Sequence, residues 1–169
     1  MSNFFKDNED LIFQFENLRL GDIIRSRETN FTDCDEYSYA PLNVDDAMDS
    51  YRRVLEVVGD IAGELVAPRA AEVDREGSHF ENGRVTYAKG VAEALERLSK
   101  ASLMGMSLPR KHGGLNFPTT IYMMAIEMIS RGDAALMNLF GLQDIADTIH
   151  RFADEELQRE YLPRFSSGS

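Results

Sequence analysis

The 169-residue chain has no tryptophan, a single cysteine and three histidines, and it lacks any apolar run long enough to cross a bilayer. One thiol, Cys34, cannot form an internal disulfide or a zinc site built on several thiolates, so a reducing, cytoplasmic setting is expected. A membrane-spanning helix needs roughly 18 apolar residues, and no stretch approaches that. The opening Met-Ser-Asn-Phe-Phe-Lys-Asp-Asn-Glu-Asp has no signal-peptide core. Basic residues are also short: 18 against 29 acids, a net charge of −11. That balance repels phosphates and excludes a sequence-independent grip on nucleic acid. What is present is an ordinary globular mixture, 43% apolar and 28% charged, enough for one core without covalent staples.

The charge is unevenly spread. Residues 1–50 carry 12 acids and 4 bases, a net of −8, while the remaining 119 carry 17 acids and 14 bases, a net of −3. Residues 1–43 therefore read as an acidic N-terminal docking arm. In it Asp10 to Asn17 is apolar enough to dock, and Arg25 to Asn43 is polar and turn-rich, surface-hugging or partly disordered. Such an arm serves either to meet a basic partner surface or simply as a solvated extension.

From Val44 the pattern changes. Val44, Ala47, Met48, Tyr51, Val54, Leu55, Val58, Ile61, Ala62 and Leu65 recur at helical spacing, predicting an amphipathic helix of six turns. Asn43 is its expected N-cap, acids fill its first turn, and Pro68 should interrupt it before a short extension to Gly77. Gly59 and Gly63 mark a close packing contact. Further helices are expected over Thr86–Ser102 and from Pro118, taken as a first-turn residue, to Gly132. Another begins at the cap Asp133, with Leu136, Leu139, Phe140, Ala146 and Ile149 on one side. The last starts at the cap Asp154 and closes at Pro163. Alternation never lasts long enough to predict a strand. The fold class is all-α, an antiparallel helical bundle over residues 44–169.

Chemistry is sparse. His79, His112 and His150 sit in no triad signature, and no His-x-x-x-His pair seeds a metal site. Glu72 with Glu76 and Asp144 with Asp147 are spacings an acidic chain produces by chance. Gly113-Gly114 lacks the phosphate-cradle patterns and suits a tight turn. The methionines stand out: Met104, Met106, Met123, Met124, Met128 and Met137 fall within 34 residues. They provide either core filler or an adaptable apolar slot for a long aliphatic group.

Residues 103–115, Leu-Met-Gly-Met-Ser-Leu-Pro-Arg-Lys-His-Gly-Gly-Leu, resemble the small-Gly-x-x-x-Pro-x-x-x-Gly-Gly loop of acyl-CoA dehydrogenases. A methionine-rich helix bearing Glu127 follows, as in that family. Phe152 to Gly168 is similar to the family's Gly-x-x-x-Gln-Lys-x-x-Tyr-Leu-Pro segment. Leu65-Val-Ala-Pro68 and Asp74-Arg-Glu-Gly77 match two upstream motifs, and Asp10 to Glu16 resembles the added arm of longer-chain members. The order is the family's. Two departures stand out: Lys111-His112 replaces an acidic-aromatic pair, and Phe152-Ala153 stands where a glycine is common.

The resemblance implies the N-terminal helical domain of an FAD-dependent enzyme that removes the α-proton and β-hydride of an acyl-CoA thioester. The partners it implies are an acyl-CoA substrate, the β- and C-terminal domains of the same enzyme and further copies in a homo-oligomer. FAD is expected in the complete enzyme and not on these residues alone. The sequence ends at Ser169 where the family's β-domain would begin, so residues 1–169 by themselves are expected to be inactive, with no catalytic residue among them. Mapped onto this chain, one wall of the acyl pocket falls on Leu136, Met137 and Phe140. Helical spacing places Leu136 and Phe140 on one face with Met137 at its edge. The alternative is a stand-alone, non-catalytic helical interaction module.

Overall fold

The computed structural model describes residues 2–169. Two short helices open the chain, α1 (Glu9–Asn17) and α2 (Gly21–Arg27), followed by tight turns over Thr29–Asp35 in which Asn30 and Phe31 take left-handed φ values of 55° and 65°. Helix α3 (Val44–Asp60) starts as expected: the Asn43 side chain accepts from the Asp46 amide at 3.0 Å, with Asp45 and Asp46 in the positive first turn. Its stripe of Ala47, Tyr51, Leu55 and Val58 is buried. The helix then widens into a π-turn over Ile61–Val66 and tightens at Ala67–Arg69 around Pro68. It resumes as α4 (Ala70–Glu76), which Gly77 ends at φ 65°.

The Gly59–Gly63 contact is real and its partner is the chain's own start. A side chain at Gly63 would strike the Ser2 carbonyl, and one at Gly59 would strike Asn3 and Phe5. The close approach lets the Phe4 amide donate to the Gly59 carbonyl at 3.1 Å.

Strands do occur, contrary to expectation. β1 (His79–Glu81) and β2 (Arg84–Thr86) pair antiparallel across Asn82-Gly83, whose φ values of 52° and 76° are those of a hairpin turn of type I′. Each strand is three residues long and exposed, too short for alternation to register. The ribbon is an appendage and leaves the fold class all-α. It also delays α5 (Lys89–Lys100), whose first amide donates to the Glu76 carboxylate at 3.1 Å.

Three further boundaries differ from those expected. Pro118 caps α6 (Thr119–Gly132) from outside rather than occupying its first turn. The stretch after Asp133 is two helices, α7 (Ala134–Gly141) and α8 (Gln143–Phe152), which break at Leu142. Finally α9 (Glu155–Ser167) runs through Pro163 to a left-handed Gly168. The cost of that interior proline is offset by what its last turns hold. Leu162 and Phe165 pack around Leu108, and Ser166 Oγ donates to the His112 carbonyl at 2.5 Å.

A main apolar cluster joins the first segment to α3–α7, while the smaller one around Leu108 holds α8 and α9. Phe5, Leu11, Phe15, Leu20 and Ile24 pack in the same core as Tyr51, Leu55, Ile121, Met128, Leu136 and Phe140. The acidic first segment thus contributes several of the largest buried side chains. No helix among the described residues is long and apolar enough to cross a membrane.

Candidate functional site

The glycine loop and the α7–α8 break form one structural unit. The Asp133 carboxylate caps α7 by accepting from the Ala135 and Leu136 amides at 2.8 and 3.1 Å. At the other end Tyr122, on α6, donates toward the Phe140 and Gly141 carbonyls at 3.2 and 3.1 Å. Burial pushes the Tyr122 hydroxyl pKa up, so it stays a donor. Gln143 bridges both sides: its Oε1 accepts from the Met106 amide at 3.0 Å and its Nε2 donates to the Phe140 carbonyl at 3.1 Å. Carbonyls that a helix break strands are therefore satisfied from two other elements.

Holding the break open exposes apolar surface. Leu139 and Leu142 line a cleft of about 550 Å³ together with Tyr87, Leu95, Met104 and Tyr161. Leu142 is 47% exposed, Ile145 48% and Phe152 83%. Leu136 and Phe140 face the other way, at 1% and 0% exposure in the core, while Met137 is half-buried at the core's edge. Of the three residues that the resemblance mapped to the acyl wall, Leu136 and Phe140 are therefore in the core and Met137 at its edge, and none of them lines this cleft. Leu139 and Leu142, which present the cleft surface, were assigned to the inner stripe or passed over.

The methionines divide in the same way. Met106, Met124 and Met128 are core. Met104 borders the cleft just described, and Met123 lines a second apolar groove of about 690 Å³ between α1 and α6, beside Phe13, Leu18 and Glu127.

Polar side chains gather on the glycine loop. Arg110, buried, makes a bidentate pair with Glu28 at 2.6 and 3.0 Å and a further bond to Asp33 at 2.9 Å. Burial alone would lower the Arg110 pKa, but the Glu28 and Asp33 carboxylates outweigh it and the net shift is upward. Beside it, Arg27 donates to the Asn116 and Ser107 carbonyls, and the Asn116 side chain donates back to the Arg27 carbonyl. Sequence spacing carried no sign of this knot, because its halves lie 82 residues apart.

His112 and His150 do meet, ring centroids 5.3 Å apart, while His79 sits in the exposed ribbon. Burial, then the charge of Lys111 and the neighbouring His150, lower the His112 pKa. No group of three metal-ligating side chains forms among the described residues. The carboxylate pairs are structural: Asp147 binds Arg151 at 2.7 Å, and Glu76 caps α5.

Comparison with known proteins agrees with the geometry. Residues 48–169 match the family described as acyl-CoA dehydrogenase, N-terminal domain. The chain is 29% identical over 133 residues to 3-methylmercaptopropionyl-CoA dehydrogenase of Ruegeria pomeroyi, covering 79% of this chain and 20% of that protein. It is 29% identical over 115 residues to an acyl-CoA dehydrogenase of Bacillus subtilis, covering 67% of this chain and 27% of that protein. It is 26% identical over 137 residues to mitochondrial isovaleryl-CoA dehydrogenase of Pongo abelii, covering 78% and 30%. The chain thus spans less than a third of the length of these relatives. With the helical order, the glycine loop and the match all in place, the chain belongs to the acyl-CoA dehydrogenase family and carries its N-terminal domain.

Proposed function

We propose that the chain serves an FAD-dependent, cytoplasmic enzyme that dehydrogenates an acyl-CoA thioester between its α and β carbons, and that it supplies one wall of the acyl pocket. The observation that carries this reading is the apolar surface at the α7–α8 break, where Leu139 and Leu142 open onto a cleft of about 550 Å³. An alkyl chain laid there gains about 0.8 kcal/mol per methylene removed from water. Leu136 and Phe140 back α7 from the core, and Met137, which the resemblance maps to the same wall, stands half-buried at the core's edge. The exposed Ile145 and Phe152 continue the same greasy surface, which fits a face covered by other domains or copies of the enzyme. Residues 1–43 precede the matched stretch, which begins at 48, and we read them as an arm added to the family domain and packed into its core.

FAD, when bound, supplies the acceptor for the β-hydrogen. The cleft residues do not make a flavin cradle by themselves: Gln143 has both ends of its amide engaged, and among the described residues Arg164 is the one charged donor lining the cleft. No proton or hydride step is therefore assigned to residues of this chain. Its work is to bind the acyl group and exclude water.

The test is flavin content and acyl-CoA oxidation, followed with an artificial electron acceptor, on the longest natural form. A flavin spectrum bleached by acyl-CoA is expected there, and a colourless preparation for residues 1–169 alone. A full-length protein that takes up no FAD and oxidises no acyl-CoA overturns the proposal.

A further inference from the structure

On the far side of the glycine loop, Tyr39, Tyr51, Arg110, Leu115 and Phe117 enclose a small cleft of about 240 Å³ that the acyl-pocket reading does not use. Two of its buried side chains carry donors with no acceptor among the described residues: the Tyr51 hydroxyl and the Arg110 Nε–H. Arg110 is otherwise fully engaged, with Nη1 on Glu28 and Asp33 and Nη2 on Glu28 and the Leu115 carbonyl at 3.4 Å. Only the Nε–H is left over. Tyr51 is fixed by its edge-on contact with Phe117, ring centroids 4.5 Å apart. Burial raises its pKa, so the hydroxyl keeps its proton.

A buried donor without an acceptor is costly, and two in one cleft are rare enough in a folded protein to require an explanation. The rest of the lining says what would satisfy them. Tyr39 covers the Arg110 guanidinium at 5.8 Å and is itself tied to the Gly114 carbonyl at 3.3 Å. Pro41, Val54, Leu115 and Phe117 are apolar. Arg53, exposed and bonded through Nε to the Asp49 carbonyl, stands at the rim. The two guanidinium groups of the lining, Arg53 and Arg110, balance the two carboxylates that Arg110 holds, Glu28 and Asp33, so a single negative charge enters a cleft with no net negative charge.

We propose that this cleft binds a small amphiphilic carboxylate, its oxygens accepting from Tyr51 and Arg110 and its short apolar or aromatic body lying between Tyr39 and Phe117. The site is separate from the acyl wall and does not depend on the proposed enzyme activity.

Benzoate is the probe, titrated into the full chain and followed by calorimetry and by the NMR shifts of Tyr39, Tyr51 and the Leu115 amide. Saturable binding with shifts confined to these residues is expected. Benzyl alcohol, which keeps the ring and loses the carboxylate, should bind about tenfold or more weakly. Tyr51→Phe should weaken benzoate by about tenfold as well, with Tm unchanged or raised, because the hydroxyl has no protein partner to lose. Val54→Phe fills the cleft from α3 without touching either donor and should abolish binding. No saturable shift with benzoate, equal affinity for Tyr51→Phe, or a lowered Tm in that variant would each refute the site. The first result would mean that ordered water alone meets the two donors.

Discussion

Breaking the Arg110–Glu28 pair should cost more than any surface change in the molecule. Both side chains are almost wholly buried, at 2% and 0% exposure, and are joined by two short bonds. Arg110→Met leaves the Glu28 carboxylate buried without its partner, and Glu28→Leu leaves the guanidinium with the Leu115 carbonyl and, as its remaining carboxylate, the partly exposed Asp33. Removing one member of a buried pair costs about 3–5 kcal/mol. For a chain of this size each kcal/mol lowers Tm by about 2–4 °C, so each single variant should melt about 6–20 °C below the parent. The double variant Glu28→Leu/Arg110→Met strands no fully buried charge, leaving unpaired just the partly exposed Asp33, and fills the same volume with apolar atoms, so it should recover most of the loss. Thermal and urea melts followed by circular dichroism complete the cycle. Single variants within about 1 kcal/mol of the parent, or a double variant that merely adds the two losses, would show that the pair does not tie the first segment to the glycine loop.

Other perturbations separate neighbouring roles. In the complete enzyme Met137→Glu should raise KM for acyl-CoA with little change in Tm, whereas Leu136→Ala and Phe140→Ala should first lower stability, by about 2–5 kcal/mol each; steady-state kinetics beside melts would tell them apart. Gly63→Val must push its side chain into the Ser2 carbonyl and should cost about 1–3 kcal/mol in a urea melt. Gly83→Ala meets no atom within 4 Å and should lose only about 1 kcal/mol, from its positive φ. The lowered His112 pKa means the unfolded chain takes up its proton first on acidification. The stability it contributes is therefore present above the ordinary histidine value and lost as pH falls through the folded one. Melts across pH 5–7 should show a slope that His112→Gln flattens; parallel curves would refute it.

How far the sequence could be read depended on the range of the interaction. Asn43, Asp133 and Asp154 all cap the helices they were expected to cap, because a cap bonds amides two or three residues away. The α3 stripe and the Gly59–Gly63 approach were equally legible, being matters of helical period. The ribbon was not: its strands are too short to alternate, and only Asn82-Gly83 marked it. The break at Leu142 was hidden because α7 and α8 continue one apolar period, and what interrupts it is Gln143 reaching the Met106 amide on the loop. Pro163 misled because its local penalty is outweighed by the contacts of Leu162, Phe165 and Ser166.

By itself, then, the order of residues determined the helical class, most helix starts and the family to which the chain belongs, since all of these rest on patterns repeated within a few turns. The tertiary structure alone decided which side of α7 faces the core and which faces the cleft, and that Arg110 finds Glu28 across 82 residues. Those outcomes are settled by burial and by the pairing of charges and carbonyls that become neighbours only once the core closes.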